Sequence, residues 1–179
     1  MKRNLFLYLY GAIIIFEGVF LVFSNHFTFH TTKYTLGIIL ITGAIIALMT
    51  AFTSQRKQVE FAYHEVHALA MFVYGVSVLL FVNDLDILSY LTAFLLFFYS
   101  ISEIIFCSWL FNLANKVKFQ ILLIRVILGL AVGIGTVVFM NYFAINKTMV
   151  MQGFGILVTI IGINVMLYIP IMTTKTINE

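Results

Sequence analysis

The sequence predicts an all-α integral membrane protein: six transmembrane helices arranged as three helical hairpin pseudo-repeats. Three observations carry that prediction. Of the 179 residues, 63% are hydrophobic and only 9% are charged, and the mean hydropathy is +1.09. A soluble domain carries about 25% charged residues, so this chain has too little polar surface to cover a core facing water. The apolar residues fall into six runs, each close to the roughly 20 residues that cross a hydrocarbon layer about 30 Å thick. Only short polar stretches separate them, so residues 1–179 read as a single transmembrane domain with no loop able to fold alone.

The expected spans are 5–23, 34–52, 63–82, 87–111, 119–143 and 149–172. The first follows Lys2 and Arg3 as a signal peptide would. Glu17 and the bulky Phe20 and Phe23 stand where a small-residue cleavage site would be needed, and five comparable spans follow. The connection 24–33 carries His26, His30 and Lys33, and 53–62 carries Arg56, Lys57 and Glu60. The tight turn 83–86 holds Asp84 and Asp86; 112–118 and 144–148 complete the set.

Lys and Arg resist translocation more than acids do, and this sets orientation. One side receives Lys2, Arg3, Arg56, Lys57, Lys116, Lys118 and Lys175, while the other receives only Lys33 and Lys147. Both termini are therefore expected in the cytoplasm, with the basic loops against anionic membrane lipids. The lone Cys107 lies in an apolar run and has no second cysteine to pair with.

Three helical hairpins follow from the echoes among the runs. GAIIIFEGVFLVFSN (11–25), ALAMFVYGVSVLLFVN (68–83) and RVILGLAVGIGTVVFMN (125–141) align with Gly18, Gly75 and Gly133 at one position. TLGIILITGAIIALMTAF (35–52) and LTAFLLFFYSISEIIFCSW (91–109) echo one another, and the sixth run is looser. Small residues let membrane helices approach closely, so Gly129 with Gly133, and Gly155 with Gly162, serve either packing within the chain or a homo-oligomer face.

Ionisable residues inside a bilayer are costly and are functional candidates by default. Glu17, Glu103 and Arg125 lie roughly 18, 12 and 9 Å from the cytoplasmic ends of their spans at about 1.5 Å per residue. Glu103 and Arg125, at similar depth on consecutive antiparallel helices, are expected to pair, and arginine's fork suits a buried carboxylate. Arg125 snorkelling to the cytoplasmic face is the alternative. Glu17 has no evident basic partner, and its carboxyl group in the protonated form can donate to a carbonyl or to an amide such as Asn164.

His64, Glu65 and His67 open the third span. The two histidines share a face, but the spacing lacks the HExxH arrangement of a zinc helix, and the group reads as interfacial rather than as a metal site. With all four histidines read at interfaces, no deep pair is expected to hold haem, and no cofactor is predicted. Tyr8, Tyr10, Tyr34, Tyr63, Tyr90, Tyr142 and Tyr168 read as interface anchors, while Tyr74 and Tyr99 are deeper and need hydrogen-bond partners. There is no P-loop, GxSxG or CxxC motif, and no extended basic surface for nucleic acid.

The stretches GAIIIFEGVFLVFSN, TLGIILITGAIIALMTAF and YSISEIIFCSWLF, with six short spans and small loops, resemble the HdeD-like family of bacterial acid-resistance membrane proteins. The resemblance covers nearly the whole chain. It implies a bacterial inner-membrane protein, associated in some members with survival in acid, and supplies no catalytic residues. The expectation is thus a non-enzymatic membrane protein linked to acid or envelope stress. The alternative is a small proton-coupled transporter or channel, handling protons or a small solute through its intramembrane carboxylates. Metal held by His64, Glu65 and His67 would mark a third class.

Overall fold

The computed structural model describes residues 2–53, 60–113 and 119–167. Six helices follow one another: α1 (Lys2–Val22), α2 (Phe29–Thr53), α3 (Glu60–Phe81), α4 (Leu85–Leu113), α5 (Phe119–Asn141) and α6 (Lys147–Met166), with a short 3₁₀ turn at Ser24–His26. Among the described residues, α1, α2, α4, α5 and α6 each carry an apolar window long enough to cross a bilayer, and the described apolar stretch of α3 is Glu65–Phe81.

The even helices begin by one device. The Thr28 hydroxyl accepts from Thr31 N–H (3.2 Å), the Asp84 carboxylate from Ile87 N–H (2.8 Å), and the Asn146 amide oxygen from Met149 N–H (3.0 Å). Each satisfies one of the amides that the first turn of a helix leaves without a partner. Because Thr28 starts α2 at Phe29, the helix begins five residues before the apolar run expected at 34, and His30 and Lys33 belong to it. Lys33 is accordingly buried in α2 rather than free in a loop.

Packing joins α1 to α2, and so on in order to α6, and closes α6 back onto α1; α4 also touches α6. The broadest contacts are α1 with α6, α2 with α3, and α4 with α5, whereas α3 meets α4 narrowly. The widest faces are therefore not those of the expected hairpins. Small residues explain why. A Cβ on Gly18 would fall 2.6 Å from the Gly155 carbonyl oxygen, and one on Gly162 would fall 2.9 Å from the Gly11 carbonyl oxygen. Between α2 and α3, Gly37 and Gly75 face each other's carbonyls; between α4 and α5, Gly129 meets the stem of Glu103 and Gly133 meets Ser100. Both glycine stripes identified in the sequence are thus engaged inside the chain.

The molecule is apolar outside as well as inside. Phe94, Phe81, Leu80, Ile105 and Ile134 are well exposed in or beside the spans, while Glu17, Glu103, Arg125, Thr136 and Asn164 are buried. A surface of that kind is stable only against lipid, and the chain is a multi-pass helical membrane protein.

Candidate polar site in the bundle interior

The inward side of each helix is a stripe at helical spacing. On α1 it runs Leu7, Tyr10, Ile14, Glu17 and Leu21, all buried. On α3 it runs His67, Met71, Tyr74 and Val78, and on α5 Leu122, Arg125, Gly129, Val132 and Thr136. Polar groups that these stripes carry must find partners among themselves, because lipid offers none.

Glu103 and Arg125 do so as the sequence leads one to expect. Arg125 Nη2 lies 2.7 Å from Glu103 Oε1, and Arg125 Nε donates to the same oxygen at 2.7 Å. Cys107 Sγ, one turn along α4, adds a third donor to it at 3.3 Å. The guanidinium also stands 5.6 Å from the centroid of the Phe106 ring. Both ion-pair side chains are fully buried, which overturns the snorkelling alternative for Arg125. Gly129, one turn beyond Arg125, leaves room for the Glu103 stem, and its carbonyl accepts from Ser100 Oγ at 2.8 Å.

A second group lies among α1, α2, α3, α4 and α6. Tyr10, Glu17, Leu40, His67, Met71 and Tyr99 are among the residues around a cavity of about 40 Å³. Glu17 is 2% exposed, and its Oε2 atom has no hydrogen-bond partner among the described residues. Tyr10 donates to Met71 Sδ (3.3 Å). Asn164, fully buried on α6, donates to the Tyr99 hydroxyl (2.7 Å), and the Glu17 carboxyl group does not donate to it as one sequence reading had it. Its own Oδ1 has no partner among the described residues. Tyr74, the other deep tyrosine, is hydrogen-bonded to Thr92.

His67 departs most from the interfacial reading. It is 6% exposed; its Nε2 lies 3.0 Å from Ser102 Oγ and its ring packs edge-on to Tyr99 at 5.5 Å. The reason is the start of α3 at Glu60, which sets His67 seven residues in, about 10 Å along the axis. Since the Ser102 hydroxyl donates to the Tyr99 carbonyl (2.9 Å), its oxygen accepts from His67 Nε2–H. Glu65 is exposed on another face of α3, so it and His67 do not converge, and the side chain of His64 lies outside the described residues. Among the described residues no three His, Cys, Asp or Glu side chains gather as metal ligands would.

Tyr10 likewise departs from its expected place. It is buried beside the cavity, not anchored at the interface, because α1 begins at Lys2 and carries Tyr10 two turns inward. Tyr8, Tyr34, Tyr90 and Tyr142 are exposed; Tyr63 and Tyr168 lie outside the described side chains.

Among the described residues the interior thus holds an ion pair between α4 and α5 and a cavity that Glu17 shares with His67. Glu103 and Arg125 are not among the residues lining that cavity. Comparison with known proteins adds no relative: no family model, no curated protein and no solved structure matches the chain. Fold and interior together define a multi-pass membrane protein with a buried polar site.

Proposed function

We propose that the chain is a non-enzymatic protein of the bacterial inner membrane, HdeD-like in kind, whose role is linked to acid or envelope stress. Both termini face the cytoplasm in this reading, which rests on the distribution of Lys and Arg. The observation that carries the functional reading is Glu17: a carboxyl group among five helices, with Oε2 unpartnered among the described residues, on a cavity that a histidine also lines. An intramembrane acid of that kind adds nothing to packing that leucine would not supply, and its property that packing does not use is proton exchange.

Three hairpin pseudo-repeats belong to the same reading. Gly18, Gly75 and Gly133, aligned in the sequence, each pack against the even helix that precedes them around the bundle, α6, α2 and α4 respectively. Thr28, Asp84 and Asn146 cap the three even helices with the same three-residue offset. These equivalences support a two-helix unit used three times, which keeps the copies parallel rather than inverted.

Expression of the chain in an acid-sensitive bacterium tests the role. Survival of an acid challenge should rise above that of cells carrying the empty vector, and equal survival would remove the acid linkage. The cavity favours one second reading, proton-coupled transport through Glu17. Proteoliposomes under an imposed pH gradient, with candidate solutes, separate the two: the main reading predicts uptake no greater than in empty liposomes, and robust uptake abolished by Glu17→Gln would establish the second.

A further inference from the structure

The cavity beside Glu17 is closed on most sides and open on one. Of the residues around it, Ala70, Leu95 and Phe98 are partly exposed, and the others are buried. All three belong to α3 and α4, the neighbours that meet narrowly. Two side-chain contacts tie these helices, His67 Nε2 with Ser102 Oγ and the Tyr74 hydroxyl with Thr92. Ala70 lies between the tied positions on α3, and Leu95 and Phe98 lie between them on α4. From His67 to Tyr74 the seam runs seven residues, about 10 Å along the helix. Leu69, Val73 and Phe94, on the outer sides of the same two helices, are exposed where the bundle meets hydrocarbon. The cavity therefore opens sideways, to lipid.

Its lining suits the head of a cation with an apolar body. Glu17 is the acid on the lining, and its Oε2 has no partner among the described residues. Tyr10, Phe98 and Tyr99 contribute aromatic rings, which attract an ammonium group through their quadrupoles. The aliphatic remainder offers no cage of oxygens for a hard metal ion. The volume of about 40 Å³ has room for a group the size of two or three waters at roughly 10–15 Å³ each. That admits an ammonium-sized head and leaves a longer tail to lie in the seam.

We propose that this cavity is a binding site for lipophilic amines, which enter from the bilayer between α3 and α4 and pair their nitrogen with the Glu17 carboxyl group. The inference rests on the proton-exchanging reading of Glu17 and names the ligand class that takes the proton. A charged ammonium is costly in hydrocarbon, so the amine arrives neutral. At the site the O–H bond of Glu17 breaks and an N–H bond forms on the amine, leaving a carboxylate beside an ammonium; no electron changes hands. The two opposite charges attract strongly because little water screens them there. Return of the proton to Glu17 restores the neutral amine and lets it leave by the same seam.

The surrounding elements leave that role to Glu17. On α1 the other titratable side chain is Tyr10, whose hydroxyl donates to Met71. The α2 contribution to the lining is Leu40. On α3 His67 lines the cavity with its Nε2 held on Ser102. On α4 Tyr99 lines it and accepts from Asn164 of α6, while Glu103 is off the lining and paired with Arg125 of α5. The lining residues of α6 are Val158 and Ile161. An amine in the cavity thus meets one carboxyl group, and among the described residues no Lys or Arg lines it to compete.

Infrared difference spectroscopy tests this on the full chain in liposomes of phosphatidylcholine and phosphatidylglycerol, with octylamine as the probe and octanol as its counterpart without a basic nitrogen. The C=O band of protonated Glu17, assigned by its loss in Glu17→Gln or its displacement in Glu17→Asp, should be present without amine. It should disappear as octylamine saturates and persist in octanol. Radiolabelled octylamine should bind Glu17→Gln about tenfold more weakly than the wild type, or worse. Ala70→Phe, which fills the seam, should keep the band and slow its loss on rapid mixing with octylamine; should that variant not fold, Leu95→Trp must do the same. A band that survives saturating octylamine, an equal response to octanol, or equal binding by Glu17→Gln overturns the site. Loss of the band on adding phosphatidylethanolamine alone would assign the site to a lipid headgroup and overturn the free amine as ligand, and an unchanged rate in the seam variants overturns the entrance. The readouts do not depend on acid survival. A band present but unmoved by amine removes the ligand and keeps the protonated Glu17, whereas a band absent without amine removes both, so the two failures remain distinguishable.

Discussion

Glu103 and Arg125 form the most completely buried ionic contact among the described residues, and its energetics follow from its seclusion. Three donors converge on Glu103 Oε1, so removing the guanidinium strands a fully buried carboxylate without its counter-charge. Arg125→Ala should therefore cost about 3–5 kcal/mol of stability, measured by thermal or denaturant unfolding in detergent. Adding Glu103→Gln to Arg125→Ala should cost less than the two single losses summed, because the second change removes the charge that the first left alone. Additive losses would mean that the two side chains do not depend on each other. This pair was legible in the sequence because charges are rare in apolar helices and depth is a simple count along the axis. Tyr10 and His67 were not legible in the same way: both sit near the ends of their apolar runs, but α1 and α3 start before those runs do, which carries both side chains inward. The one available signal was spacing from Glu17, since Ile14 and Tyr10 follow it backward at intervals of three and four.

Close helix approach accounts for which faces pack broadly. At Gly18 an added methyl group would meet backbone on α6, the Gly155 carbonyl oxygen at 2.6 Å and the Thr159 nitrogen at 2.5 Å. Backbone cannot rotate away, so Gly18→Ala should lower stability by about 1–3 kcal/mol or more. Gly43→Ala is the control, since the added methyl group would meet the flexible Met71 terminus at 2.9 Å and Ile13 at 3.4 Å, and a smaller loss is expected. Thermal unfolding of the two variants side by side checks the contrast. At the capped ends, Asn146→Ala removes an acceptor from the first turn of α6 and should cost about 0.5–2 kcal/mol by the same measurement. Helix number and approximate limits could be read from apolar runs. Which face of each helix turned inward could not, because lipid and core are both apolar and the usual contrast between a wet and a dry face is missing.

The bundle as a whole buries polar side chains such as Glu17, Glu103, Arg125 and Asn164 and turns apolar ones outward, with the capped turns of the even helices at one edge. Cysteines introduced at Thr31 and Lys57 should label from opposite sides of the membrane, as the bias of Lys and Arg requires; labelling from one side would reject the topology. The proposed role then turns on Glu17. Cells producing the wild-type chain should survive an acid challenge better than cells producing Glu17→Gln, with both proteins present in the membrane in equal amount and equally stable to heat, since glutamine fills the same space but cannot exchange a proton. Equal protection by Glu17→Gln would contradict the assignment of function to this site.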